Sequence, residues 1–135
     1  MTWSIIARDP LTGQIGIAVA TRFFAVGARV PHIAPGIGGI ATQALVNPYY
    51  GIDGVKLLRE GSSPREVVDT LIATDSGRES RQLHVMDIKG RIAAHTGAEC
   101  VDWCGLFRVT ASPLPATCWW APPCSTIPRK PMPPI

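Results

Sequence analysis

The sequence predicts an α+β fold, and three observations predict it. Strand-like apolar segments open the chain, two helical segments with defined ends occupy its middle, and two further strand-like segments flank a Lys89-Gly90 turn. Such grouped runs point to two sheets with a helical layer, whereas strict alternation of strand and helix would point to a parallel sheet. At 135 residues, with 46% hydrophobic and 17% charged, the chain has the size and composition of one globular domain.

Each element has a local reason. Thr2 to Arg8 has the apolar character of a strand, Gln14 to Ala20 reads as a second, and Asp9-Pro-Leu-Thr-Gly13 between them is turn chemistry, so the pair is an N-terminal hairpin. Arg22 to Val30 continues through Phe23 and Phe24, Pro31 to Gly36 reads as a loop, and Ile37 to Leu45 as a buried, glycine-rich strand. Tyr50 to Glu60 sets Val55 and Leu58, with Ile52 and Leu57 nearby, on one helical face, and Gly61 stops it. Ser63-Pro64-Arg65-Glu66 is a capping box with proline at the first helical position; the helix it opens turns Val67, Val68, Leu71 and Ile72 inward and ends near Asp75 to Gly77. Gln82 to Ile88 and Arg91 to His95 then form a second hairpin.

Composition divides the chain. Residues 1–105 hold ten Lys/Arg and ten Asp/Glu, so the formal charge of +3 comes entirely from Arg108, Arg129 and Lys130 in a tail that also holds eight of the thirteen prolines and no acid or glycine. No basic patch with interleaved aromatics occurs in the body, which argues against a nucleic-acid partner. No apolar run reaches the roughly eighteen residues of a spanning helix, and the N-terminus lacks an export signal, so the expectation is a cytoplasmic protein without a membrane partner. Residues 106–135 show no helical or strand period and read either as a disordered, polyproline-like extension or as out-of-frame translation.

Thr2 is the most informative chemical position. Removal of an initiator Met before a small residue leaves a threonine whose own α-amino group, with a reference pKa of about 8, serves as base for its hydroxyl. The alternative is a threonine that merely follows Met. Arg22, after a buried strand, is either a surface arginine or a fixed cation that lowers that amine's pKa or binds a substrate carboxylate. Gln43 and Asn47 offer amide donors to an oxyanion, while Asn47-Pro48 equally forms a helix-entry turn. His95 is a general acid or a hydrogen-bonded strand terminus. Gly36-Ile-Gly38-Gly39 lacks the Lys-Ser/Thr pair of a phosphate loop. Cys100 and Cys104 have no zinc spacing with His95 and read as free thiols. No cofactor and no metal is expected.

The strings Thr2-Trp-Ser-Ile-Ile-Ala-Arg-Asp-Pro10, Ile17-Ala-Val-Ala-Thr-Arg-Phe-Phe-Ala-Val-Gly27, Ala41-Thr-Gln-Ala44, Asn47-Pro-Tyr-Tyr-Gly51, Arg81-Gln-Leu83 and Ala94-His-Thr-Gly97 together resemble a bacterial family, that of domain of unknown function 1028, described as Ntn-hydrolase-like. The match covers residues 1 to about 105 almost continuously. The resemblance implies a four-layer αββα sandwich, truncated here on its C-terminal side, in which the first residue of the mature chain attacks an amide carbonyl; Thr2 falls at that place, with Arg22, Gln43, Asn47 and His95 as helpers. The family continues past His-Thr-Gly into Gly-Asn-Met-Leu-x-Gly-Pro and then helices. Moving the reading frame by one base turns Cys118-Trp119-Trp120-Ala121 into Leu-Val-Gly whatever codons are used, so a frame change between about Gly105 and Val109 accounts for the tail.

The function expected is an amide-bond hydrolase acting on a small amide or peptide-like substrate through Thr2. The alternatives are a catalytically silent binding or scaffold protein of the same fold, or a non-functional frameshifted product. A missing layer would leave a sheet face uncovered, at about 25 cal/mol per Å² of apolar surface, and would favour instability or oligomerisation.

Overall fold

A computed structural model describes residues 2–100, 104–105, 108–110 and 117–119 of the chain. Strand β1 (Thr2–Arg8) and strand β2 (Ile15–Thr21) pair antiparallel, with Thr2 opposite Thr21 and Arg8 opposite Ile15. The turn between them is closed by Asp9, whose carboxylate accepts the Leu11 N–H at 2.9 Å and the Thr12 hydroxyl at 2.6 Å, while Gly13 takes a φ of 73°. A second, four-stranded antiparallel sheet follows the order β3 (Pro31–Ala34), β4 (Gly38–Ala44), β5 (Arg81–Asp87), β6 (Ile92–Thr96). Helices α1 (Tyr49–Arg59) and α2 (Pro64–Ala73) connect β4 to β5. The fold is α+β, with two helices and antiparallel sheets.

Side-chain alternation along the strands sorts the layers. Ile40, Leu83, Val85 and Ala93 leave the larger sheet on one face and meet Tyr50, Leu58, Val67, Val68 and Leu71 of the helices. Ala41 and Met86 leave it on the other face and meet Ile6, Ile15, Ile17 and Val19 of the β1–β2 hairpin. Strand β4 is therefore buried on both sides, and its glycines let both layers close on it. A β-carbon on Gly38 would enter the Met86 carbonyl, and one on Gly39 would stand 3.1 Å from Ile17 Cδ1.

Three features differ from the sequence reading. The segment Pro31 to Gly36, expected as a loop, contains strand β3, which pairs Pro31 with Ala41; β3 is the sheet's edge, where a proline at the first residue leaves no ladder donor missing. Helix α1 buries Tyr50, Gly51, Gly54 and Leu58, and Ile52, expected inside, is exposed. The glycines mark the line of closest approach, since a β-carbon on Gly54 would lie 2.6 Å from Ile40 Cδ1. In the tail, β7 (Arg108–Thr110) and β8 (Thr117–Trp119) pair antiparallel, each too short to show a period in the sequence. The rest of the Pro-rich tail, read as disordered or out of frame, lies outside the described residues.

Helix α2 forms as its capping box requires. Ser63 Oγ accepts the Glu66 N–H at 3.4 Å and Glu66 Oε2 accepts the Ser63 N–H at 2.7 Å, and the Ser63 side chain and backbone together hold the Glu66 carboxyl below its ordinary range. No helix among the described residues is long and apolar enough to cross a membrane.

Candidate functional site

The inner face of β1 reads Thr2, Ser4, Ile6, Arg8, so the seam between the sheets is apolar in its middle and polar toward Thr2. On the facing sheet the same parity carries Gln43 from β4, Gln82 and His84 from β5, and Thr96 from β6. These side chains form one hydrogen-bonded chain. Gln82 Nε2 donates to Thr96 Oγ1 at 3.1 Å and to the Gly105 carbonyl at 3.3 Å, which turns its Oε1 toward the Gln43 amide nitrogen. Gln43 Oε1 therefore faces Ser4 and accepts its hydroxyl proton at 2.7 Å.

His84 Nε2 lies 2.8 Å from Ser4 Oγ. Because the Ser4 proton goes to Gln43, the ring supplies the hydrogen of this contact and is a donor at Nε2. A ring protonated there is no base for Ser4, and Ser4 and His84 are 5% and 3% exposed, so the pair is a structural tie rather than an activated nucleophile. Burial pushes the His84 ring down to about 4, which keeps it neutral at physiological pH.

Thr2 stands at the polar end of this seam, half-buried, its hydroxyl donating to Thr21 Oγ1 at 3.0 Å across the hairpin. Thr21 Oγ1 also accepts the Phe23 N–H at 3.3 Å, tying the start of the next loop to the same oxygen. Arg22 follows directly and is exposed. Nearby, β4 ends at Ala44 with a φ of 67°, unusual for a residue with a β-carbon, and the turn delivers the Leu45 N–H to the Ser80 carbonyl at 3.1 Å.

Of the five residues singled out from the sequence, Thr2 and Gln43 lie at the polar end of the seam, Gln43 reaching β1 through Ser4, and Arg22 follows Thr21 in the chain. Asn47 and His95 lie on the helix side of the larger sheet. Asn47 Oδ1 accepts the Tyr49 N–H at 3.1 Å and opens α1, while its Nδ2 donates to Asp75 Oδ2 at 3.3 Å. His95 Nε2 lies 2.9 Å from the Arg78 carbonyl in the short 3₁₀ turn before β5. These hydrogen bonds hold both residues on the face of the sheet away from Thr2. Asp75 anchors that side, held well below the usual carboxylate range by the Arg81 guanidinium 3.0 Å away.

Sequence reasoning missed Ser4, Thr21, Gln82, His84 and Thr96. Their signal is parity: Gln82, His84 and Met86 alternate with Leu83 and Val85 on a strand buried on both faces, so the polar pair had to meet another layer.

A cleft of about 470 Å³ opens at the far end of the hairpin, between Thr12, Gln14, Ile15, Ile33, Pro35 and Ile88. None of the described residues that line it carries an ionisable side chain. Among the described residues no three of His, Cys, Asp and Glu gather as a metal site. Cys100 and Cys104 are free thiols, and burial raises the Cys100 pKa.

The model of a family described as "Family of unknown function (DUF1028)" matches residues 2–112. A crystal structure of a Silicibacter pomeroyi protein assigned to the same family superposes with a TM-score of 0.79 at 37% identity, over 88% of this chain and 54% of that one. The chain thus spans about half the length of that relative. No curated protein matches it.

Proposed function

Because the chain belongs to the DUF1028 family, whose function is unknown, the chemistry must be read from the site, and we propose that it is a cytoplasmic amide-bond hydrolase of the N-terminal nucleophile kind, with Thr2 as the attacking residue. The observation that carries the reading is the placement of Thr2. It is the first residue of strand β1, at the polar end of a seam between two sheets, with its Oγ held by Thr21.

Once Met1 is removed, the Thr2 amine is the base. It takes the hydroxyl proton as Oγ adds to the amide carbonyl, and the tetrahedral adduct expels the amine, which leaves with that proton. Water then hydrolyses the acyl ester and restores the hydroxyl. Arg22, one residue from Thr21, acts on this site as a cation that lowers the amine's pKa or receives a substrate carboxylate. Gln43 serves by tying β4 to β1 through Ser4, since its amide is engaged at both ends. The outer face of the hairpin supports the αββα reading: Trp3, Ile5 and Ala7 lie opposite Ala20, Ala18 and Gly16, an apolar face of the kind that a further layer covers.

The test begins with the intact mass of the purified chain, to establish Met removal, followed by hydrolysis assays on a panel of acylated amino acids and dipeptides. Thr2→Ala is expected to abolish hydrolysis with an unchanged melt, and Thr2→Ser to retain it in part. Retained Met1 with activity intact, or an active Thr2→Ala variant, would remove Thr2 as the nucleophile, and a Met1-free chain that hydrolyses nothing in the panel would sink the proposal in favour of a binding protein of the same fold.

A further inference from the structure

The segment joining β2 to β3 combines features found nowhere else among the described residues. Phe23 is 57% and Phe24 is 92% exposed, although both are large apolar side chains. Between Asp9 and Asp53 the chain contains no acidic residue at all, so Arg22 and Arg29 have no carboxylate near them in sequence. Among the described residues the arginines ion-paired to carboxylates are Arg65, Arg78, Arg81 and Arg91, all elsewhere. The Arg29 guanidinium carbon instead lies 5.5 Å from the centre of the Phe23 ring, within cation–π range, which orients ring and cation together.

The loop is anchored from below and open above. Val26 and Val30 pack into the apolar cluster of the seam, a 3₁₀ turn spans Val26–Ala28, and Ala25 adopts a φ of 56°. Its start is bound to the reacting end, because the Phe23 N–H and the Thr2 hydroxyl share one acceptor, Thr21 Oγ1. Consecutive Cα atoms are about 3.8 Å apart, so Arg22 and Phe23 begin within about 8 Å of Thr21 along the backbone.

A planar guanidinium binds a carboxylate through two parallel hydrogen bonds, and an exposed aromatic ring offers an apolar face. We propose that Arg22, Phe23, Phe24 and Arg29 form a recognition rim whose ligand is an amide carrying a free carboxylate beside an aromatic or bulky apolar side chain, as in an N-acylated aromatic amino acid. The rim rests on the Thr2 reading for where the amide carbon sits, but its affinity does not depend on Thr2.

The experiment therefore measures binding to the full chain carrying Thr2→Ala, by calorimetry and NMR, with N-acetylphenylalanine, N-acetylphenylalaninamide and N-acetylglycine as probes. N-acetylphenylalanine is expected to bind about tenfold more tightly than either of the others, with affinity falling as salt rises. Arg22→Gln should weaken it about tenfold and Phe24→Ser several-fold, with Arg22→Lys recovering part of the loss. All three substitutions are at exposed positions, and a melt checks that the fold persists.

Equal binding of the three probes, no binding, or indifference to both Arg22→Gln and Phe24→Ser would overturn the proposal. So would cosedimentation with phosphatidylserine vesicles that is lost in Phe24→Ser and not competed by N-acetylphenylalanine, since the loop would then be a lipid-surface element. Binding without any hydrolysis by the Thr2 chain leaves the rim standing and removes the nucleophile; hydrolysis without preference for the carboxylate does the reverse.

Discussion

Mild acid should destabilise this protein through one residue. The His84 ring is 3% exposed in the seam, and burial lowers its pKa to about 4 against 6.5 in an unfolded chain. Between those values the unfolded chain binds a proton that the folded chain refuses, so folding stability falls as the pH falls. The contribution is fully present above about 6.5 and is lost by about 4. At about 1.4 kcal/mol for each pH unit of difference, the loss across the window approaches about 3 kcal/mol, a large part of a domain's margin of about 5 to 15 kcal/mol. Urea unfolding at successive pH values, for the natural chain and for His84→Gln, measures it; the glutamine amide keeps a donor for Ser4 without titrating. Carboxylates overlap only the acid end of the window, and the comparison with His84→Gln subtracts them. Asp75, held down by Arg81, Glu66, held down by Ser63, and Asp9, held down by Thr12, contribute stability that begins to fade only as the pH nears their ordinary values of 3.8 to 4.5 and is lost as it falls through the lowered ones, so they enter at the lower edge of the window and remain in His84→Gln. A flat stability above the lower limit of the window, or an equally steep decline in His84→Gln, would refute the reasoning.

Three further perturbations test the frame around the site. Arg81→Met removes the guanidinium 3.0 Å from Asp75 and 2.6 Å from the Leu45 carbonyl, with about 2 kcal/mol lost in a denaturant titration and the acid lability of Asp75 moved up toward the ordinary carboxylate range. Gly54→Ala places a methyl group 2.6 Å from Ile40 Cδ1, an overpacking of about 1–3 kcal/mol that outweighs or cancels the alanine's helix preference of about 1 kcal/mol; a lower melting temperature checks it. Ser63→Ala removes one arm of the capping box and should cost about 1 kcal/mol, seen as a lower urea midpoint with an unchanged slope.

What the sequence made legible was local. Ser63 to Glu66 carries its capping instruction within four residues, and the structure places both hydrogen bonds there. Asp9 to Gly13 likewise specifies its own turn. The failures came where a partner far along the chain decides the outcome. Ile52 has the right spacing for the core, but Gly51 and Gly54 bring the other side of α1 onto the sheet. Pro31 reads as a strand breaker until the sheet makes β3 an edge. Ser4 and His84 stand 80 positions apart, and nothing local to either announces a hydrogen bond between them. Thr2, Arg22 and Gln43 stand out by residue type alone, whereas the placement of Asn47 and His95 on the other face required the strand register.

The seam shows why stability and chemistry part company at one end of the hairpin. Toward Arg8 it is filled by Ile6, Ile15 and Ile17, which need no partners beyond each other. Toward Thr2 it holds Ser4, Gln43, Gln82 and His84, each of which would be costly to bury without its neighbours, and an apolar replacement of the whole set could pack at least as well. Their arrangement does something that packing alone does not. Chain termini ordinarily fray, and a directed run of hydrogen bonds from His84 through Ser4 and Gln43 to Gln82 and Thr96 fastens β1 two residues from its start. Thr2 is thereby kept in register with Thr21 while its own hydroxyl stays outside the chain, bonded to a single threonine oxygen rather than to the buried amides. That hold on the start of β1, with the Thr2 side chain left at the polar end of the seam, is the feature on which the proposed attack by Thr2 rests.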